Sequence, residues 1–316
     1  RLFEEKSYAA GGRFMLSIQA KMLNLIFQKM PAEDVNVEHN YPKERAKNAA
    51  RKVPKCPTGI TLQETLFDGI SGEIIIPVNA RQDKIIWFIH GGGCTTGSAK
   101  ESRECTYYLA KTFGYTIIST NYRLSPEYKW PAQLNDCMKV YNSILSMGYD
   151  MRNVVLVGGS AGGWLALSVT LRVRDEGKIL PKAVCAFSPI TNQADDLPSH
   201  HGNEKTDYML KNTLFCERQN RALFGTGKPS RELLLNSYIS PYYGNYKGMP
   251  PIFLAVSDLE VLYDDAVTLY EKLKAEKIYT ELEVGKGLCH AYATLPMMPE
   301  AKKTLSNAVK FAESIS

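Results

Sequence analysis

Val154-Val155-Leu156-Val157-Gly158-Gly159-Ser160-Ala161-Gly162-Gly163-Trp164 is the run on which the reading of this chain turns. Four consecutive aliphatic residues predict a strand buried on both faces, because a strand covered from both sides shows no alternation. Small residues follow at once, and Trp164 to Val173 predicts a helix. So short a turn from strand to helix holds its central residue in a strained backbone conformation, which only small neighbours permit. The Ser160 hydroxyl then projects beyond the carboxyl end of the strand, and the positive N-terminal end of the helix is directed at the same point. The flanking strand and helix separate this run from a plain glycine-rich turn and make Ser160 a candidate nucleophile.

The same rhythm continues on both sides. Ile85–Ile89, Tyr115–Thr120, Ala183–Phe187, Ile252–Val256 and the weaker Thr280–Val284 are further predicted strands. Helices are predicted over Pro131–Met147, Asp264–Glu276 and Glu300–Ile315; the first has Pro131 at its start and Gly148 after its end. Strands alternating with helices imply an α/β fold with a mainly parallel, doubly wound sheet. Ahead of it, Thr61–Phe67 and Ile70–Ile76 flank Asp68-Gly69, a hairpin signal that adds antiparallel strands at one edge. Residues 1 to about 55 are helical in pattern, with Met15, Ile18, Met22, Leu25 and Ile26 at helical spacing, broken by Pro31, Pro42, Pro54 and Pro57. Thr191–Gly248 carries no strand pattern and lies between two core strands. The expected organisation is a single domain over 1–316 with a helical cap formed by about 1–55 and 191–248.

Composition narrows the partners. The 316 residues carry 38 Lys and Arg against 33 Asp and Glu, a net charge of +5 without a clustered basic stripe, so no nucleic-acid partner is expected. The apolar run from Phe14 to Met30 is interrupted by Lys21 and Lys29, which argues against a membrane span. Seven cysteines, an odd number with no C-x-x-C pair, argue against a disulfide framework and a zinc site, and point to free thiols in a reducing, cytoplasmic setting. The expected partner is a small molecule; a homodimer is compatible with the sequence.

Three further motifs suit acyl transfer. His90-Gly91-Gly92-Gly93 ends the Ile85–Ile89 strand. A tetrahedral oxyanion needs backbone N–H groups already aimed at it, and glycines let the backbone approach closely. Gly91, Gly92 and the amide of Ala161 are the candidate donors, with His90 orienting the loop. A neutral serine hydroxyl needs a general base. Of five histidines, at 39, 90, 200, 201 and 290, only His290 follows the last core strand, in the order Ser, acid, His. The acid must lie after Ile252–Val256. Asp264 and Asp265 open a helix, where first-turn placement accounts for them. Asp258 and Glu260 remain.

These motifs resemble the hormone-sensitive-lipase-like family of α/β-hydrolase esterases and lipases. The Gly91 and Ser160 motifs are similar to its two signatures, and Asn121-Tyr122-Arg123-Leu124-Ser125-Pro126-Glu127 with Trp130-Pro131-Ala132 resembles its connecting segment. The match covers roughly 60–316. It implies a capped α/β-hydrolase fold, no metal or cofactor, and hydrolysis of short- to medium-chain acyl esters. It aligns the acid on Glu260, four residues before Asp264. Two departures stand out: the family's usual acid is Asp, and the residue before the nucleophile is often Asp where this chain has Gly159. Arg123 and Glu127 are expected to act as a structural ion pair or loop anchor, and Cys94 and Cys289 as packing residues. Two other readings belong to the same fold: a non-catalytic ligand-binding homologue, against which His290 stands, and an amidase or carbohydrate deacetylase.

Overall fold

The computed structural model describes residues 15–30, 39–210 and 215–315. Residues 1–14, 31–38 and 211–214, which belong to the segments expected to form a cap, lie outside the described residues, as does Ser316.

An eight-stranded sheet runs through the molecule: β1 (Ile60–Phe67), β2 (Ile70–Pro77), β3 (Ile85–Ile89), β4 (Thr116–Thr120), β5 (Val154–Gly159), β6 (Ala183–Phe187), β7 (Ile252–Ser257) and β8 (Thr280–Gly285). The helices are α1 (Ile18–Lys29), α2 (Tyr41–Ala49), α3 (Arg103–Phe113), α4 (Ala132–Ser146), α5 (Ala161–Asp175), α6 (Pro198–Gly202), α7 (Phe215–Phe224), α8 (Arg231–Leu234), α9 (Tyr263–Ala275) and α10 (Pro299–Ser314). Strand order is β1-β2-β4-β3-β5-β6-β7-β8; β1 with β2 and β2 with β4 are antiparallel, and all other pairs are parallel. This is the mainly parallel, doubly wound sheet that the alternating pattern implies, in the α/β-hydrolase arrangement that the family resemblance implies. The edge hairpin closes Phe67 on Ile70 through Asp68 and Gly69, both at positive φ, as its Asp-Gly signal requires.

Alternate residues of the central strands face opposite sides, so two cores form. Trp87, Leu156, Val184 and Leu254 point to one side with Leu134 of α4, Trp164 of α5 and Leu269 of α9. Phe88, Val155, Cys185 and Phe253 point to the other with Leu109 of α3 and Leu305 of α10. Both faces are therefore covered, which is why β5 is buried along its whole length. The chain turns one way from β3 to β4 and the other way from β4 to β5. That reversal opens a crevice at the carboxyl ends of β3 and β5, where ligands of such sheets bind.

The apolar spacing at the start of the chain does give a helix, but its periodic face points outward. Met15, Ile18, Met22, Leu25 and Ile26 are all more than half exposed, whereas Ala20 and Asn24 are buried. Asn24 Nδ2 donates to the Gly287 carbonyl (2.8 Å), and Ser17 donates through N and Oγ to Glu300. These bonds, with Leu16, Leu23 and Phe27 packed on the core, seat α1 beside the loop that precedes His290. Between Thr191 and Gly248 the described residues contain no strand. Among the described residues no helix is long and apolar enough to cross a membrane.

Candidate active site

Ser160 sits between β5 and α5 with φ 56° and ψ −124°, the strained conformation that its turn predicts. Two close approaches enforce small neighbours. A Cβ on Gly162 would lie 2.0 Å from the Ile89 carbonyl oxygen, and one on Gly91 would lie 2.7 Å from that of Gly159. The β3 loop and the Ser160 turn are therefore in backbone contact. Ser160, Gly91, Gly92 and His290 line one cavity of about 470 Å³, within the range of small-molecule sites, about 300–1,000 Å³. Ala161 is fully buried beside Ser160 as the first residue of α5. Its N–H belongs to the first turn, where a helix leaves its donors without intrahelical acceptors.

His290 is buried, and its Nδ1 lies 2.5 Å from Glu260 Oε2. Glu260 is fully buried behind it; its other oxygen, Oε1, accepts from Ser188 Oγ and from Ser257 N, both at 2.7 Å. Burial opposes the imidazolium, but the Glu260 carboxylate outweighs it and holds His290 above its ordinary value. Ser188 also accepts from Ala291 N at 3.1 Å, so one hydroxyl ties the Glu260 loop to the His290 loop. Ser188 and Ser257 were not legible as site residues, because their partners are reached only through the folded sheet.

The other carboxylates have different tasks. Asp258 Oδ1 accepts from Gly287 N (2.7 Å), which pins the loop before His290. Asp264 and Asp265 do lie in the first turn of α9, but the helix cap is Leu262 and neither acid serves as one. Asp264 accepts instead from Ser199 N (2.8 Å). Asp265 is buried and accepts from Thr191 N (2.6 Å), Asn192 N (2.8 Å) and His200 Nε2 (2.5 Å). They fasten the stretch after β6 onto α9. Burial opposes charge on His200, yet Asp265 and Asp195 raise it well above the ordinary histidine value. Asp195, His200 and Cys216 also bring ligand-type atoms within 4.8 Å of one another, away from the Ser160 cavity; a buried ion pair already accounts for His200.

The connecting segment anchors the Gly91–Gly93 loop, though not as an Arg123–Glu127 pair. Arg123 binds buried Asp136 through its guanidinium (2.7 Å to Oδ1) and backbone N. Glu127 instead takes both arms of Arg45 on α2, each at 2.9 Å, and Arg45 also donates to the Thr95 and Ser125 carbonyls. Each charge found a partner that the linear order does not suggest. His90 holds its loop as expected: its ring stacks on Tyr122 (4.2 Å between centroids), and its Nδ1 bonds the Gly91 carbonyl at 2.8 Å. Burial lowers its pKa to about 4, so the ring stays neutral. Cys94 and Cys289 are buried thiols pushed up to about 12, inert packing residues.

Gly159 also has a reason. A Cβ there would lie 2.6 Å from Thr294 Cγ2 and 3.7 Å from the Ala291 Cβ. The segment after His290 closes onto this position, so a side chain there would have to displace the Thr294 methyl.

Comparison with known proteins agrees with this fold. The profile of the alpha/beta hydrolase fold family matches residues 86–294. An acetyl-hydrolase of Streptomyces hygroscopicus is 30% identical over 73% of this chain and 76% of its own length. An esterase of Acinetobacter venetianus is 26% identical over 84% of this chain and 86% of its own. The crystal structure of an esterase from the bacterial hormone-sensitive lipase family superposes with a TM-score of 0.83 at 24% identity, covering 96% of this chain and 99% of that one. The chain belongs to the α/β-hydrolase family and is a carboxylic-ester hydrolase.

Proposed function

We propose that the chain hydrolyses short- to medium-chain acyl esters through an acyl-enzyme on Ser160. The carrying observation is the buried His290–Glu260 bond on the wall of the cavity that holds Ser160. With Nδ1 donating to Glu260, the imidazole keeps Nε2 as its acceptor. Ser160 attacks the ester carbonyl as His290 takes its proton, and Glu260 stabilises the imidazolium. The N–H groups of Gly91, Gly92 and Ala161 hold the oxyanion. His290 then protonates the leaving alcohol, and water repeats the sequence on the acyl-enzyme. No step calls for a metal or cofactor.

The two segments flanking the cavity act as a cap. Tyr41 and Glu44 of α2, with Arg218 and Gln219 of α7, line the same cavity as Ser160 and the Gly91 loop, and on this reading they limit acyl length. That relatives are named acetyl-hydrolase and versiconal hemiacetal acetate esterase supports the short end of the range. Seven free cysteines, six of them buried, fit a reducing compartment.

The test is Ser160→Ala against p-nitrophenyl acetate and butyrate. Activity should fall to the level left by binding and oxyanion stabilisation, about 10³–10⁴-fold above water, with the fold intact. Near-normal turnover, or labelling of another residue by a serine-directed phosphonate, would sink the assignment.

A further inference from the structure

The cavity beside Ser160 carries a polar side chain that the fold leaves unused. Gln219 lies on α7, lines the cavity and is 4% exposed. Both ends of its amide, Oε1 and Nε2, are buried without a hydrogen-bond partner among the described residues. A buried amide in that state destabilises the free protein, and folds rarely keep one without a use. Its neighbours on the same helix differ: Arg221 pairs with Glu217 (3.0 Å), and Asn220 donates through Nδ2 to the Gln193 carbonyl (3.3 Å), with only its Oδ1 left without a partner among the described residues. Gln193 is also unpaired at both ends of its amide, but it does not line the cavity.

The complementary chemistry follows from the amide itself. Oε1 needs a donor and Nε2 needs an acceptor, and a hydroxyl is both at once. Among the described lining residues, Glu44, which bonds His39, and Glu101 and Glu104 stand against the guanidinium of Arg218, which disfavours an anionic group there.

We propose that Gln219 is a specificity-determining residue that pairs with a hydroxyl on the substrate, away from the reacting carbonyl. The preferred substrates are then hydroxylated esters, such as partial esters of polyols, rather than plain alkyl esters. The inference rests on the reading of this cavity as the site of ester hydrolysis. Pairing a buried amide only in the complex ties stability to selectivity, because the free enzyme carries the unpaired group and the hydroxylated substrate relieves it.

Matched ester pairs test this: glyceryl monoacetate with propyl acetate for the alcohol side, and methyl 3-hydroxybutyrate with methyl butyrate for the acyl side. Rates are corrected by each ester's reactivity toward hydroxide. In at least one pair the wild type should favour the hydroxylated member by about 5–150-fold in kcat/KM, the worth of one buried amide left unpaired. Gln219→Met should bring that ratio towards one and raise Tm by roughly 2–4 °C, since an apolar side chain of similar length replaces the unpaired amide. Gln219→Leu, of different shape, should do the same and separates lost pairing from altered packing. Wild-type ratios near one in both pairs, or a ratio that survives both variants, overturn the inference alone. A fall in Tm in both variants means that the amide is paired in the free enzyme and also overturns it. A wild type that turns over none of the four esters overturns the esterase reading, and this inference with it.

Discussion

Glu260→Gln keeps the size of the side chain and removes its charge, and the structure dictates how the amide must sit. Oε1 accepts from Ser188 Oγ and from Ser257 N. Ser257 N is a backbone donor that cannot turn away, so the amide oxygen must take the Oε1 place. The NH₂ then takes the Oε2 place, 2.5 Å from His290 Nδ1 in the wild type. Facing two hydrogens, Nδ1 must become an acceptor, and the ring proton moves to Nε2, the nitrogen proposed to take the proton of Ser160. Two unit charges about 4 Å apart interact by ~4 kcal/mol at an effective dielectric constant of 20. At 1.36 kcal/mol per tenfold, losing the carboxylate costs about 10³ in rate. The wrong tautomer adds to this, and the equivalent change in a Ser–His–Asp system costs ~10⁴ in kcat. The expected drop is therefore about 10³–10⁴ in kcat, measured with p-nitrophenyl butyrate beside Asp258→Asn and Asp264→Asn. Those two should lose far less, because their carboxylates hold Gly287 N and Ser199 N rather than the imidazole. A large drop in either of them, with Glu260→Gln within tenfold of wild type, would refute the reasoning.

Three further outcomes are expected. Because burial is outweighed by Glu260 and His290 lies above its ordinary value, kcat/KM should rise along one acidic limb with its midpoint above about 6.5. In Glu260→Gln the lowering effect of burial is opposed only by the weaker pull of Asp207, so the limb should move to lower pH; a profile flat from about pH 5 to 8 would argue against a histidine base. Asp265→Asn strips buried His200 of its main counter-charge and should cost about 3–5 kcal/mol, nearer the lower figure because Asp195 stays 3.1 Å away. The folded pKa of His200 is raised, so this stabilisation is complete below about 6.5 and shrinks as pH climbs from there towards the folded value; urea unfolding at pH 6 and pH 8 reads it, and equal stability at pH 6 would contradict it. Gly159→Ala should push Thr294, and with it the His290 segment, away from Ser160 and lower kcat by about 10–10²-fold, the scale of a misplacement near 1 Å. Adding Thr294→Ser removes the colliding methyl and should restore much of the rate; no restoration would mean that the collision is not the cause.

The sheet was legible because each strand announces itself locally. Val154–Val157 is apolar without alternation, and Asp68-Gly69 adopts the positive φ values that its residue types favour. Ser160, Gly91 and His290 were legible for a related reason: each follows directly from a strand end or a glycine run. Elimination by position alone left Asp258 beside Glu260, and only the family resemblance separated them. What stayed hidden are polar bonds between segments far apart in the chain. Ser188 to Glu260, Asp265 to Thr191 and Arg45 to Glu127 span 72, 74 and 82 residues. No periodicity records such bonds, because a hydroxyl or carboxylate of ordinary type at an ordinary position becomes special only when the fold supplies its partner. The apolar stripe of α1 shows the reverse case: periodicity marks a helix correctly without saying which face is covered, and here Leu16, Ala20, Leu23 and Phe27 pack on the core while Ser17 and Asn24 add polar bonds.

The strand order explains why those hidden bonds are needed. β5, β6, β7 and β8 lie side by side, and neighbouring strands are about 4.8 Å apart. The strand that leads to His290 therefore stands three spacings, about 14 Å, from the strand that ends at Ser160. A base launched from β8 must be carried back across two strand ends before it reaches the cavity. The chain does this stepwise. Gly287 N bonds Asp258 and the Leu288 carbonyl accepts from Ser257 Oγ, both at the end of β7. Ala291 N bonds Ser188, one residue past the end of β6. Ala291 and Thr294 then close on Gly159 at the end of β5. Each step uses a small polar side chain or a missing one at the carboxyl end of the next strand. Glu260 enters from β7 along the same path, and its contact with Ser188 ties the proposed acid and the loop of the proposed base to one hydroxyl. The longer reach of Glu over the more usual Asp fits this geometry, since the carboxylate must meet Ser188 on one strand end and His290 on a returning loop at the same time.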